Sequence, residues 1–129
     1  MITGKEALER LQEGNKRFVS NAGGSQVQLH STRPAELNKP QEPLAIVLGC
    51  SDARVPAEIV FDQGLGDLFV IRVAGNIVAP SQVGSIEFAA SRFGTRLVVV
   101  LGHTQCGAIQ ATIEAVSYTH LTLPTIYSV

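Results

Sequence analysis

Three short apolar runs constrain the fold of this chain more than any other feature of its sequence. They occupy residues 44–48, 68–73 and 97–101, have the length of strands, and lack the alternation of a half-exposed strand. Such runs are typical of strands that are buried on both faces of a parallel sheet. The segments 56–61, 81–93 and 108–116 follow them in turn with helical patterns. The sequence therefore predicts an α/β fold with a parallel-sheet core and flanking helices.

Helix boundaries are marked by local signals. An amphipathic helix is predicted over about residues 4–19, where Thr3 and Glu6 have the spacing of a capping box. Its apolar face is expected to carry Ala7, Leu8, Leu11 and Phe18. Pro56 suits the first turn of the next helix, and Gly94 suits the end of the one before the third strand. The polar segment 20–43 reads as a loop, with a turn of helix near Pro34–Leu37.

The composition of the chain indicates how many domains it forms, which partners it lacks and where in the cell it is expected. The 129 residues are 45% hydrophobic and 16% charged, which fits one globular domain. The net charge of −1 offers no basic surface for nucleic acid, and no apolar run is long enough to span a membrane. Charged residues throughout the first twenty positions exclude the core of a signal peptide. We therefore expect a cytoplasmic protein whose two cysteines are free, metal-bound or catalytic rather than disulfide-bonded.

Chemically active side chains follow two of the predicted strands. Cys50, Asp52 and Arg54 come after the first run, and His103 and Cys106 come after the third. The carboxyl ends of parallel strands share one edge of a sheet, so these groups are expected to meet. Two thiolates and an imidazole favour Zn²⁺ and leave a fourth position open, as catalytic zinc sites do.

Spacing alone leaves simpler interpretations open. A cysteine after a strand is often just a small buried apolar residue, and Asp52 with Arg54 could be a structural ion pair. A nucleophilic thiol paired with His103 is another alternative, but it gives Cys50, Asp52 and Arg54 no joint role. The glycine patterns at 64–66 and 102–107 lack what nucleotide-binding loops need.

The segments 50–56 and 103–107, taken together, resemble the β-class carbonic anhydrases. Segments 72–76 and 85–89 are also similar to that family, and the resemblance runs from Asn15 to Ala108. It implies a β-carbonic-anhydrase-like fold and a zinc enzyme. The implied reaction is the reversible hydration of carbon dioxide to bicarbonate and a proton by a zinc-bound hydroxide.

The resemblance also assigns roles to residues. Cys50, His103 and Cys106 match the zinc ligands, and Asp52 and Arg54 match a catalytic aspartate–arginine dyad. In some members the aspartate takes the fourth zinc position in a closed, inactive state, and the arginine holds it away in the open state. The positions that match the family's substrate-binding and pocket residues are Gln41, Phe69, Ala74 and Gly107.

The end of the chain departs from the family pattern. Residues 1–116 read as a partial zinc domain, incomplete at its C-terminus, because family members continue well past the His-x-x-Cys loop and form their pocket at a subunit interface. A homodimer or higher homo-oligomer is therefore implied. Residues 116–121 resemble one translated frame of a transposon-derived sequencing adapter, and residues 117–129 contain no Asp, Glu, Lys or Arg. We therefore interpret residues 117–129 as a non-native tail. Two alternative functions follow: an inactive zinc-binding fragment, or a hydrolase of an analogue such as carbon disulfide.

Overall fold

The structure, a computed structural model, describes residues 1–20 and 38–116. The predicted turn near residues 34–37 and the tail 117–129 lie outside these ranges. Within them the chain forms the following elements in order: α1 (Gly4–Ser20), β1 (Ala45–Gly49), α2 (Ala57–Val60), β2 (Leu68–Arg72), a short 3-10 helix (Ala74–Asn76), α3 (Pro80–Phe93), β3 (Val98–Leu101) and α4 (Gly107–Val116). None of the helices in this part of the chain is long and apolar enough to cross a membrane.

The three strands form one parallel sheet in the order β2–β1–β3. Ala45 pairs with Leu68 at the amino end of β1, and Gly49 pairs with both Arg72 and Leu101 at its carboxyl end. Every residue of β1 is buried, as expected for a central strand with elements on both faces. The predicted α/β class, the parallel arrangement and the flanking helices are confirmed.

Burial on both faces is predicted for all three strands, but it holds throughout only for β1: Leu68 is the one buried residue of β2, and β3 has none. Val98 and Val100 are 45% and 58% exposed, while Val99 and Leu101 are partly buried against the core. The reason is position in the sheet. β3 lies at an edge, and no element in the described residues covers the face that carries Val98 and Val100.

Helix α1 confirms the predicted capping box. The Thr3 amide donates to Glu6 Oε2 at 2.7 Å, and the Glu6 amide donates to Thr3 Oγ1 at 3.2 Å. Ala7 and Leu11 are buried, but Leu8 was expected on the same face and is 42% exposed. The buried stripe runs through positions 7, 11 and 14, and residue 8 is rotated by about 100° from residue 7 in an α-helix.

Gly14 lets α1 approach the rest of the domain closely. A Cβ at this position would lie 1.8 Å from the carbonyl oxygen of Phe61, the residue that ends α2. Pro56, which was predicted within the first turn of α2, is instead its extended N-cap residue. The predicted end of α3 is confirmed, since Gly94 is left-handed with φ 67°.

All three strands deliver a segment to the same edge of the sheet. Cys50 directly follows β1, the short helix that contains Gly75 follows β2, and His103 lies in the loop between β3 and α4. Because the strands are parallel, these three loops meet at the carboxyl edge.

Candidate metal centre

Cys50, His103 and Cys106 meet at this edge. Their ligand atoms all lie within 4.8 Å of one another, and the two sulfurs are 3.9 Å apart. Cys50 is 3% exposed and Cys106 is 8% exposed, and both thiols are free. The fold thus brings together the three side chains predicted as zinc ligands, from two loops more than fifty residues apart along the chain.

The His103 ring presents a lone pair to this cluster. Its Nδ1 lies 2.9 Å from the carbonyl oxygen of Thr104, which can only accept, so Nδ1 carries the proton. The other nitrogen, Nε2, is buried and has no hydrogen-bond partner among the described residues. A buried nitrogen acceptor without a partner, close to two thiols, has the tautomer and the surroundings of a metal ligand.

The donor set fits zinc. Two thiolates with one neutral imidazole suit this ion, and they leave room for a fourth ligand. The hydrogen bond from Nδ1 to Thr104 provides the outer support that metal-binding histidines normally have. The residues present can therefore hold Zn²⁺.

Cys50 is prepared as a thiolate. The neighbouring His103, the backbone amides near Asp52 and Gly75, and Cys106 together lower the pKa of its thiol to about 6, against the opposing effect of burial. The Gly75 amide donates to Cys50 Sγ at 3.2 Å. Gly75 has φ 75°, a left-handed conformation that glycine adopts without strain. In return, the Cys50 thiol and the Thr104 carbonyl raise the pKa of His103.

Asp52 lies beside the cluster but is bound to Arg54. Arg54 Nε donates to Oδ1 at 2.9 Å and Nη2 donates to Oδ2 at 2.6 Å. The Arg54 side chain and its backbone amide hold the pKa of the Asp52 carboxyl far below its usual range. Oδ2 also lies 3.8 Å from His103 Nε2, so the carboxylate borders the position that a metal would occupy. Asp52 as a metal ligand in a closed state stays a prediction.

Arg72 is a site residue that the sequence reasoning missed. Its Nε donates to the Cys50 carbonyl at 2.9 Å, and its Nη2 donates to the Asp52 carbonyl at 2.6 Å. One guanidinium thus fixes the backbone of the loop that carries both residues. The available signal was a single charged residue at the end of the second apolar run, opposite Gly49 in the sheet.

The four predicted substrate-binding residues are not all brought together. Gly107 lines an open cleft of about 480 Å³ beside the centre, together with His103 and Cys106. Ala74 lines an adjacent apolar cleft of about 200 Å³. Gln41 is exposed and precedes β1, at the amino edge of the sheet. Phe69 packs against the rings of Phe88 and Phe93 on α3, with centroids 6.2 Å and 5.9 Å away.

The fold and the cluster define a class: an α/β protein with a Cys₂His cluster that can hold a metal ion, at the carboxyl edge of a parallel sheet. Comparison with known proteins defines the family. Residues 45–126 match the family model described as carbonic anhydrase. This chain belongs to the β-class carbonic anhydrase family.

Individual relatives support this assignment. Over 113 residues the chain is 47% identical to the carbonic anhydrase of Mycolicibacterium smegmatis, covering 84% of this chain and 52% of that protein. It is 46% identical over 111 residues to carbonic anhydrase 2 of Mycobacterium tuberculosis, covering 86% and 53%. The solved structure of the β-carbonic anhydrase CcaA has a TM-score of 0.62 at 30% identity, covering 93% of this chain and 59% of that one. The chain thus spans about half the length of the curated relatives it matches.

Proposed function

We propose that this chain binds one zinc ion through Cys50, His103 and Cys106 and catalyses the reversible hydration of carbon dioxide to bicarbonate. The observation that carries the proposal is the cluster of two free thiols and His103 Nε2, which has no hydrogen-bond partner in the part of the chain that the structure describes, in a chain of the β-class family. When bound, zinc supplies a Lewis acid that activates water for attack on carbon dioxide.

The protein's own residues prepare the centre for this reaction. The low pKa of Cys50 makes this thiol largely ionised at neutral pH, so its proton does not compete with the metal. The Thr104 carbonyl keeps the proton of His103 on Nδ1 and leaves Nε2 free to bind.

Asp52 and Arg54 are proposed as the catalytic pair. The carboxylate is ionised and borders His103 Nε2, so it can accept a hydrogen bond from the reacting water and orient its lone pair. Arg54 holds the carboxylate in this position through two hydrogen bonds. Release from Arg54 would let Asp52 take the fourth metal position, which is the closed state.

Substrate binding is proposed at the clefts beside the centre. Carbon dioxide is small and has no net charge, and Ala74 and Gly107 line space next to the ligands that is wide enough to admit it. Gln41 and Phe69 lie away from the centre of their own chain, so we assign their contribution to the pocket of a neighbouring copy. A homodimer or larger homo-oligomer is supported by the apolar side chains exposed on β3 and α4, which include Val100, Ile109 and Ile113. We further propose a cytoplasmic location, where free thiols persist.

The test combines three measurements on the purified chain: zinc per chain by elemental analysis, size by light scattering, and carbon dioxide hydration by stopped flow. We expect one zinc per chain and a hydration rate that is lost in Cys106→Ser. Bound zinc without hydration would favour the inactive zinc-binding protein, and turnover of carbon disulfide instead would favour the other alternative. A reduced, folded chain that binds no zinc would overturn the proposal.

A further inference from the structure

The two buried cysteines are in direct contact. Cys50 Sγ and Cys106 Sγ are 3.9 Å apart, and a disulfide bond is about 2.05 Å long. We propose that, in the metal-free chain, a hydroperoxide oxidises Cys50 and Cys106 to an intramolecular disulfide, and that this bond and zinc exclude each other. Formation of the disulfide depends on the chain alone. The mutual exclusion of the disulfide and zinc rests on the proposed function.

The fold holds the two thiols ready for this bond. Cys50 directly follows β1, and Cys106 ends the loop after β3, the strand that pairs with β1. Adjacent strands are about 4.8 Å apart, so the two loops start from neighbouring positions on one sheet edge. The remaining gap between the sulfurs is of the size that side-chain rotation and a small loop movement can close.

The two cysteines differ in access. Cys106 lines the open cleft beside the centre, whereas Cys50 does not. Instead, Cys50 Sγ accepts a hydrogen bond from the Gly75 amide, in the short helix after β2. A small hydroperoxide entering this cleft therefore meets Cys106 first. This difference assigns Cys106 as the thiol that reacts with the oxidant and Cys50 as the thiol that then displaces the product to form the disulfide.

The chemistry balances with one equivalent of oxidant. The Cys106 thiolate attacks the terminal peroxide oxygen, the O–O bond breaks, and a sulfenic acid forms while the other oxygen leaves as water or an alcohol after taking up a proton. The Cys50 thiolate then attacks Cys106 Sγ, the S–S bond forms, and the S–O bond breaks to release hydroxide. In sum, two thiols lose two electrons and two protons, and one hydroperoxide is reduced.

Oxidation removes the metal site. Zinc binds thiolates, and the disulfide leaves neither sulfur able to act as one. Only His103 would remain of the three ligands. A bound metal, in turn, occupies both sulfurs and protects them from the peroxide. Zinc and oxidant thus compete for the same two atoms.

The experiment uses the complete chain, made metal-free with a chelator or loaded with Zn²⁺, and treated with hydrogen peroxide. Because the chain has no other cysteines, intact mass and thiol titration report this pair alone. We expect the metal-free chain to lose both thiols and the mass of two hydrogen atoms without forming crosslinked dimers. It should then take up no Zn²⁺ until a dithiol reductant restores it. Zinc-loaded chain should oxidise at least about tenfold more slowly.

Control variants separate the steps. In Cys50→Ser, peroxide should give a sulfenic acid at Cys106 that dimedone traps, and in Cys106→Ser the remaining Cys50 should react much more slowly. The native geometry is tested by repeating the oxidation in urea, where we expect the disulfide to form about an order of magnitude more slowly. Equal rates in water and urea would overturn the proposal.

Two further outcomes distinguish this proposal from the function proposed above. A reduced chain that binds Zn²⁺ but gives intermolecular crosslinks or overoxidised thiols overturns the disulfide and leaves the zinc site standing. A chain that forms the disulfide but binds no Zn²⁺ when reduced supports the disulfide and overturns the zinc site.

Discussion

Arg54 donates to both carboxylate oxygens of Asp52, with Nε 2.9 Å from Oδ1 and Nη2 2.6 Å from Oδ2. The same Nη2 lies 3.1 Å from the Gln105 carbonyl, next to Cys106 in the other ligand loop. One guanidinium therefore orients the carboxylate and joins the two loops of the centre. Arg54 is exposed, so this pair contributes little to stability, and its main effect is on the position of Asp52.

Replacing Arg54 by Lys should separate the effect of its positive charge from the effect of its two hydrogen bonds to Asp52. An ammonium cannot form the two parallel hydrogen bonds that hold Asp52, although it keeps the positive charge. We expect carbon dioxide hydration to fall by about 10- to 100-fold, with zinc content unchanged. Stopped-flow rates and elemental analysis measure both.

The matched control for this variant is Arg92→Lys. Arg92 lies in the last turn of α3, the helix that leads back to the amino end of β3 and so ends away from the metal centre. Arg92→Lys should leave the hydration rate unchanged. If Arg54→Lys also leaves the hydration rate unchanged, the pair of hydrogen bonds from Arg54 to Asp52 has no role in turnover.

Asp52→Asn tests the carboxylate itself. The amide has nearly the same shape but loses the negative charge and presents a donor group to Arg54. We expect turnover to fall while zinc per chain stays the same, because Asp52 is not one of the three clustered ligands. Loss of the metal in this variant would show that Asp52 holds zinc in the resting protein, contrary to the role proposed for it.

Arg72 variants test the support of the Cys50 loop. Arg72 bonds to the carbonyls of Cys50 and Asp52, so Arg72→Gln should loosen the loop and weaken zinc affinity by about 10- to 100-fold. Arg72→Lys can reach one carbonyl at a time and should have an intermediate effect. Competition with a zinc indicator measures the affinity in each variant. Equal affinities in wild type and Arg72→Gln would remove Arg72 from the site.

The central strand β1 and the meeting of the ligand residues could be predicted from the sequence, because the evidence for both is local. A continuous apolar run identifies β1 without knowledge of its neighbours, and ligands placed after parallel strands must share an edge. That reasoning was sufficient to bring Cys50 and Cys106 together.

Features that depend on distant contacts were not predictable in the same way. An apolar run does not reveal whether its strand is central or at an edge, so the exposure of Val100 was missed. The bonds from Arg72 cross 22 and 20 positions of sequence, and the Gly75 bond to Cys50 needs a positive φ that no local pattern indicated. These contacts follow from packing between elements rather than from the preference of any one of them.

The ionisation of Cys50 gives a pH prediction for the metal-free protein. Its pKa is about 6 in the fold against an ordinary value of 9.0, so the unfolded chain binds more protons between these two values. The contribution of Cys50 to stability is therefore complete above the ordinary value and is lost as the pH falls through about 6. His103 contributes with the opposite sign, because its pKa is raised: its share is present below its ordinary value and is lost as the pH rises through the folded one.

Because these contributions overlap, the measurement should follow the thiolate directly. In Cys106→Ser, ultraviolet absorbance reports Cys50 alone, and we expect a midpoint well below the ordinary value of 9.0, because His103 and the backbone amides of Asp52 and Gly75 remain. His103 is the largest cause of the shift, so adding His103→Ala should move the midpoint upward. A midpoint at the ordinary thiol value in the folded single variant would contradict the geometry around Cys50.

The exposed face of β3 gives a prediction about association. Val100 is 58% exposed, whereas Val47 on the neighbouring β1 is fully buried. At a concentration where the chain is monomeric, Val100→Thr should change the free energy of unfolding by less than about 0.5 kcal/mol, because the added hydroxyl faces water. Val47→Thr should lower the free energy of unfolding by about 1–3 kcal/mol, since a hydroxyl would enter the core without a partner.

At higher concentration Val100→Thr should weaken self-association in sedimentation experiments, because it removes apolar area from the surface proposed to contact a second copy. Unchanged association would mean that the chains meet through another surface.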